Sequence, residues 1–293
     1  MRSFSRFPGR GIVGAGHSPE TEMPELPEVE TSRLSVAPWL EQQQVCKVTV
    51  RERRLRWPVP FDIDKDLPGS FIRSLKRRAK YLLFETDGGT MMLHLGMSGS
   101  LRVIDRGEPA GKHDHVDIEV ASGKALRFRD PRRFGSLLWT TGDPGVHPLL
   151  RSLGPEPLTA DFDGAYLWQK ARGRRISIKQ FIMTAGVVVG VGNISASEAL
   201  FLAGIHPKRR AERISRPRMT VLANAIVAVL ERAIKAGGTT LRDFHGGDGE
   251  PGYFRQELNV YGRDGQPCLT CRRPISVAVL GQRSTFYCNA CQR

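Results

Sequence analysis

Long apolar runs, dispersed cysteines and acids are what this 293-residue chain lacks. No stretch of about 18 apolar residues occurs, which excludes a membrane-spanning helix. There are five cysteines, and four of them fall in the last 26 residues. Disulfides therefore do not staple the whole chain, as they do in small secreted domains. Acids number 30 against 44 Lys and Arg, leaving a net charge of +14. That excess is mostly arginine and is spread along the sequence. It calls for a partner of dense negative charge, with nucleic acid first in line. Hydrophobic residues at 40% and charged residues at 25% form an ordinary globular balance, which argues against wholesale disorder. The length suits two domains, each with its own core.

Residues 1–22 are rich in Gly, Ser, Arg and Pro and show no period of 2 or 3.6. They lack the apolar segment of a secretory signal. A disordered tail and a start of the reading frame upstream of the true one both fit. Globular sequence begins at Met23. Pro27 suits the first turn of a helix, with Glu28 and Glu30 on its positive end, running to about Ala37 before Pro38. Short alternating strands follow from about Val45 to Thr140, separated by turns such as Asp87-Gly88-Gly89 and Ser122-Gly123. This spacing predicts an antiparallel sandwich over residues 23–155, and no βαβ rhythm supports a Rossmann-type domain. Beyond Gly154-Pro155-Glu156-Pro157 the pattern turns helical, at Tyr166–Ala171, Ile176–Ala185, Ile194–Ala203 and Arg218–Lys235. Residues 156–258 thus form a second, helical domain. It contains a glycine-rich loop at Gly246–Gly252 that reads as mobile. Residues 259–293 are a cysteine module. The fold class is α+β.

The four clustered cysteines are Cys268, Cys271, Cys288 and Cys291, with two residues inside each pair and sixteen between the pairs. Two such knuckles offer four thiolates to a tetrahedral zinc, leaving no open position for catalysis. The sixteen residues suffice for one hairpin. One structural zinc in a ribbon is the expectation, and a redox pair would not come doubled at this spacing. Cys46 reads as an inert thiol. Gln282 and Arg283, in the hairpin turn, are placed to touch nucleic acid; a solvated turn residue is an equal reading of Arg283.

Val189-Gly190-Val191-Gly192-Asn193 lies between two helical segments. Glycines admit close backbone approach, and Asn193 can cap a helix whose N-terminus faces an anion. Beside Arg172, Arg174, Arg175 and Lys179, a phosphate site becomes the better reading of this turn. In Arg132-Arg133-Phe134, a Phe on a turn could wedge a base step while Arg fills the vacancy. An ordinary strand end with a buried Phe competes with that. At Met23-Pro24-Glu25, a proline exposed at a true N-terminus would be a secondary amine able to form an iminium with a sugar aldehyde. Glu25 beside it could deliver a proton.

Met23-Pro-Glu-Leu-Pro-Glu-Val-Glu30, Arg77-Arg78-Ala-Lys80-Tyr81, His94-Leu-Gly-Met-Ser-Gly-Ser-Leu101, Lys112-His-Asp-His-Val-Asp117 and Asp130-Pro-Arg-Arg-Phe-Gly135 together resemble the bacterial formamidopyrimidine-DNA glycosylases. So do Val189-Gly-Val-Gly-Asn193, Gly237-Gly-Thr-Thr240, Pro251-Gly-Tyr-Phe254 and the ribbon segment Thr285-Phe-Tyr-Cys288. The order is collinear over residues 23–293. The resemblance implies a β-sandwich, a helix–two-turn–helix domain and a zinc finger, with double-stranded DNA in the cleft between the domains. It implies a monomeric cytoplasmic enzyme of the bacterial nucleoid. Such an enzyme flips an oxidised purine (8-oxoguanine or a formamidopyrimidine) into a pocket, cleaves its glycosidic bond and nicks the strand by β,δ-elimination. Abasic sites would be substrates too.

Carried over by motif, Pro24 is the Schiff-base nucleophile and Glu25 the proton donor. Lys80 serves β-elimination and Arg283 δ-elimination. Met97, Arg132 and Phe134 fill the hole left by the flipped base. His113, Arg132, Arg174, Lys179 and Asn193 contact DNA, and Glu28 supports the nucleophile. The sequence departs from the family pattern at Ser195, where many relatives have Tyr, at Arg272, where Gly is usual, and at Arg242, often Lys. Leu26 and the intact Arg132-Arg133-Phe134 loop favour the purine branch over the endonuclease VIII group. A non-catalytic zinc-ribbon protein that binds distorted duplex is the competing function, and an RNA-associated basic protein a more distant one.

Overall fold

A computed structural model describes residues 24–237 and 258–293. Residues 1–22 and the 246–252 loop, read above as a tail and a mobile loop, lie outside the described residues.

Helix α1 (Leu26–Leu40) opens the described chain, with Pro27 in its first turn and Glu28 closing a reciprocal capping box with Glu25. The helix runs past Pro38, three residues beyond the expected end. Proline in the last turn removes only its own N–H from the ladder. Buried Val36, Ala37 and Leu40 hold that turn against the sandwich core, and the Glu41 N–H still reaches Ala37 O at 2.9 Å.

The sandwich consists of β1 (Val45–Val50), a single-turn helix α2 (Ile63–Asp66), and then β2 (Ile72–Arg78), β3 (Tyr81–Thr86), β4 (Gly89–His94), β5 (Ser100–Asp105), β6 (Asp114–Val120), β7 (Lys124–Arg129) and β8 (Ser136–Thr140). Two four-stranded antiparallel sheets result, ordered β1-β6-β7-β5 and β2-β3-β4-β8. Inward-facing Leu82, Phe84, Leu93, Leu101, Ile118, Leu126 and Phe128 fill one core between them, together with the inner face of α1.

Within the Arg77–Tyr81 motif the chain reverses. Arg78 pairs with Tyr81, and Ala79-Lys80 is the two-residue connection. Ala79 takes a left-handed φ of +55°, unusual without glycine. Because neither residue is a usual turn former, the sequence conceals the turn. Its consequence is that Lys80 sits at a hairpin tip instead of within a sheet.

The helical domain contains α3 (Gly164–Ala171), α4 (Ile178–Ile182), α5 (Asn193–Leu202) and α6 (Arg216–Lys235). Asp163 and Ser177 cap α3 and α4 with their side chains. The 176–185 helix expected from sequence shrinks to Ile178–Ile182, because Ser177 caps it two residues late and the chain turns off at Met183-Thr184, where the Thr184 N–H reaches Phe181 O at 3.1 Å. Leu167, Ile178, Phe181, Leu200, Leu222, Ile226 and Leu230 form this domain's core, and Leu26 of α1 is inserted into it. Strands β9 (Ser276–Leu280) and β10 (Arg283–Tyr287) make the C-terminal hairpin. Its turn is Gly281-Gln282, both at positive φ as a two-residue hairpin turn requires, so Arg283 begins β10. Phe286, Val260 and Ile275 pack with Phe201 of α5, docking the ribbon on the helical domain. Among the described residues no helix is long and apolar enough to cross a membrane.

Candidate active site

Four segments far apart in sequence meet at one cavity of about 170 Å³, lined by Glu25, Lys80, Met183, Val191, Gly192, Asn193 and Arg283. Three of the four proposed catalytic residues therefore share a wall. The fourth, Pro24, is buried and precedes Glu25 directly. A larger open groove of about 610 Å³, lined by His206, Lys208, Arg209, Arg210 and Arg213, holds four cations and no acid or nucleophile. The smaller cavity is the one that carries chemistry.

The Pro24-Glu25 segment is docked on the 189–195 turn. The Leu26 N–H donates to Gly190 O at 3.1 Å. Gly190 has φ +78°, and a Cβ there would stand 2.5 Å from the Leu26 side chain, so only glycine permits the approach. The Glu25 carboxylate then accepts N–H bonds from Gly192, Ile194 and Ser195 and an O–H bond from the Ser195 hydroxyl. From the other side, the Glu25 N–H donates to Glu28 Oε2 at 2.8 Å, which gives Glu28 its supporting place.

Lys80 is held from behind by a residue the sequence reading passed over. Glu156 accepts from the Ala79 N–H at 2.6 Å, from Arg77 Nη1 at 2.6 Å and from Arg78 Nη1 at 3.0 Å. Arg77 also pairs with Glu30 at 2.9 Å. Burial pushes the Glu30 carboxyl up, but Arg33 and Arg77 outweigh it and hold it below its usual range. The Glu156-Pro157 stretch had been read only as a domain boundary; it also clamps the β2–β3 tip that presents Lys80. Beside that tip, His94 is buried under Tyr81, with ring centroids 4.8 Å apart. Burial, reinforced by Lys80 and Arg56, pushes the His94 imidazole down to about 4. Its Nδ1 accepts the Gly96 N–H at 2.9 Å, a role that requires the neutral ring.

The three residues proposed to fill a vacated base stack come from two loops laced together. Buried Asp130 accepts from Ser98 Oγ at 2.6 Å and from the Gly135 N–H at 2.7 Å, and Ser98 Oγ accepts the Arg132 N–H at 3.1 Å. Gly96 lies so close to Phe134 that a Cβ would meet its backbone at 2.3 Å. Met97 is thereby brought beside the 130–135 loop. Phe134 is 44% exposed, so the buried-Phe reading of this loop does not hold. The Arg132 guanidinium lies over its ring at 4.9 Å. The His113 carbonyl accepts the Asp130 N–H at 3.0 Å, placing His113 at the base of the same loop. Arg174, between α3 and α4, is exposed.

Lys179, carried over above as a DNA contact, lies inside the protein. Its side chain is buried, and its ammonium donates to Asn193 Oδ1, Ser284 O and Thr285 Oγ1. It ties α4, α5 and β10 together.

The four ribbon sulfurs lie within 4.8 Å of one another. Cys268 and Cys291 Sγ are 3.9 Å apart, and Cys271 and Cys288 Sγ 3.4 Å. A tetrahedron with Zn–S near 2.3 Å has edges of about 3.8 Å, so the donor set fits zinc. The ion would supply a structural cross-link, and all four ligands would come from this cluster.

Residues 23–137 match the formamidopyrimidine-DNA glycosylase N-terminal domain. Residues 153–245 match the formamidopyrimidine-DNA glycosylase H2TH domain. Residues 265–293 match the zinc finger found in FPG and IleRS. The chain belongs to the formamidopyrimidine-DNA glycosylase family. A formamidopyrimidine-DNA glycosylase of Pseudomonas putida is 60% identical over 271 residues, covering 92% of this chain and 100% of the relative. That of Alkalilimnicola ehrlichii is 58% identical over 277 residues, with 92% and 100% covered. The crystal structure of the Thermus thermophilus family member superposes with a TM-score of 0.81 at 35% identity, covering 92% of this chain and 98% of that one. A Lactococcus lactis family member bound to DNA containing Fapy-dG gives 0.84 at 33% identity, with 92% and 100% covered. The same bacterium's family member with abasic-site DNA gives 0.83 at 33%, with 92% and 99% covered.

Proposed function

We propose that this chain is a base-excision DNA glycosylase that removes oxidised purines and cuts the strand at the resulting abasic site. The observation that carries the reading is the convergence of Glu25, Lys80 and Arg283 on one cavity next to Pro24. Relatives bound to Fapy-dG and abasic DNA support the substrate class.

Pro24, as a free secondary amine, attacks C1′ of the flipped nucleotide. Glu25 gives a proton as the base leaves or the sugar ring opens. An α-amino group titrates near ~8 and a lysine near ~10.4, so at neutral pH far more of the terminal amine is nucleophilic. The iminium then draws electrons from the sugar. Lys80, at the clamped hairpin tip, takes part in β-elimination, and Arg283, at the head of β10, in δ-elimination. Met97, Arg132 and Phe134 occupy the vacated stack, and His113, Arg174 and Asn193 engage the backbone. The zinc holds the hairpin that carries Arg283. Such an enzyme works at the chromosome, in the bacterial nucleoid.

Borohydride trapping on a duplex with an abasic site tests this. The chain beginning at Pro24 is expected to yield a covalent adduct, and Pro24→Gly to lose most of it. Tight lesion binding without any adduct would leave only a damage-binding protein.

A further inference from the structure

Helix α5 is capped from outside. Its cap residue is Gly192, which has no side chain to receive the first-turn N–H groups. A Cβ at Gly192 would stand 2.2 Å from Glu25 Cδ, so the glycine leaves room for a carboxylate supplied from 167 positions earlier. Oε1 of Glu25 accepts the Ile194 N–H at 2.8 Å. Oε2 accepts the N–H groups of Gly192 at 3.2 Å and Ser195 at 3.1 Å. Those three donors are backbone groups, so they do not depend on the side chains at 194 and 195. The fourth comes from a side chain: the Ser195 hydroxyl donates to Oε2 as well. Serines inside helices commonly bond back to the carbonyl four residues earlier. Ser197 does so, reaching Asn193 O at 2.8 Å. Ser195 turns to Glu25 instead. Both partners are buried, at 4% and 3% exposure, so water does not compete for the bond.

We propose that Ser195 is a positioning residue for Glu25, its hydroxyl fixing the orientation of the carboxylate against α5 and thereby toward the cavity that Glu25 lines. The proposal rests on the reading of Glu25 as the proton donor. It assigns to Ser195 a role in the excision step and none in DNA affinity. A phosphate contact at this position would require the hydroxyl to leave Glu25 and become exposed.

The test is a double-mutant cycle read by single-turnover excision from an 8-oxoguanine duplex, with protein beginning at Pro24 and dissociation constants measured on damaged and undamaged duplexes. Ser195→Ala is expected to slow excision about tenfold, the scale of one charge-assisted hydrogen bond, with both dissociation constants unchanged. In the Glu25→Gln background the same substitution is expected to have no further effect, because the hydroxyl acts through the carboxylate. Ser195→Cys keeps the side-chain shape in a slightly larger group with a poor donor and is expected to match Ala. Thermal melts confirm that each variant is folded at the assay temperature. A wild-type rate in Ser195→Ala or Ser195→Cys overturns the proposal. So does an equal loss in the Glu25→Gln background, or weakened binding of both duplexes, which would make Ser195 a backbone contact. A wild-type rate in Glu25→Gln alone removes the proton-donor reading itself, and this proposal with it.

Discussion

Lys179 Nζ lies 2.5 Å from Asn193 Oδ1, and the same ammonium donates to Thr285 Oγ1 at 2.9 Å and to Ser284 O at 3.1 Å. One buried cation thus joins α4, the N-terminus of α5 and the strand that begins at Arg283. Removing it leaves three acceptors short of a donor, each costing about 1–3 kcal/mol if water cannot replace it. Lys179→Met is therefore expected to lower the denaturation midpoint and to slow strand cutting by loosening β10. Its salt dependence should separate it from a phosphate contact. Each cation that neutralises a phosphate contributes about 0.9 to the slope of log K against log salt. Exposed Arg174→Ala is expected to lose roughly that slope, and Lys179→Met to keep it. A lost slope in Lys179→Met would return it to the phosphate contacts.

Most of the architecture could be read from patterns with a local cause. Alternating strands, the Pro/Gly boundary after Leu153 and the doubled cysteine knuckles each announce themselves in a few adjacent residues. Lys179 shows what could not be read that way. A lysine among arginines looks like a phosphate ligand, and only the fold brings Asn193 and Thr285 around it. Glu156 is a similar case: in sequence it is one acid in a proline-rich linker, yet it receives Arg77, Arg78 and the Ala79 N–H from a hairpin 77–79 positions away. Asp130 likewise owes its place to Ser98 and Gly135, on either side of two loops. Long-range pairings of single residues leave no period. The cavity was legible only through motif resemblance, because Glu25, Lys80, Asn193 and Arg283 share no local spacing.

Arg272 occupies a left-handed φ of +64° immediately after the first cysteine pair, with its N–H bonded to Cys268 O at 2.9 Å. A side chain there is strained, where glycine is not. Arg272→Gly is expected to stabilise the ribbon by about 1 kcal/mol, offset in part by the greater entropy of glycine in the unfolded chain. Zinc retention against a competing chelator, measured as a midpoint, checks it. A lower midpoint would mean that the Arg272 side chain makes a compensating contact.

His94 makes the fold acid-sensitive in a defined window. Its imidazole stays neutral down to about 4, because burial comes first and Lys80 and Arg56 add to it, whereas in the unfolded chain it titrates near 6.5. The folded-state value is depressed, so between these limits the unfolded state binds the extra proton. The stabilisation is complete above 6.5 and is lost progressively as pH falls toward 4. The full loss amounts to about 3 kcal/mol. His94→Asn retains an acceptor for the Gly96 N–H without the titration. Its denaturation midpoint is expected to fall less steeply than that of the parent between pH 6.5 and 4. Parallel curves would place the acid sensitivity elsewhere.

The start of the chain decides whether Pro24 can act. Preceded by Met23, its nitrogen is a tertiary amide, with no proton and no nucleophilic lone pair. Freed, it is a secondary amine directly preceding Glu25, which lines the cavity. The docking that places it is independent of anything upstream, since Leu26 bonds Gly190 O and Glu25 bonds the α5 turn. The match to the family's N-terminal domain begins at residue 23. A methionine before proline is readily trimmed, so a polypeptide initiated at Met23 would expose Pro24. The form beginning at Pro24 is therefore expected to trap on borohydride reduction, excise 8-oxoguanine and cut the strand. A full-length form, shown intact by mass spectrometry, is expected to do none of these. Its Lys80 and Arg283 would be unaltered, so the loss would isolate the amine as the missing group. Equal trapping by the intact full-length form would instead make a lysine the nucleophile, with Lys80, at the tip that faces the same cavity, first in line.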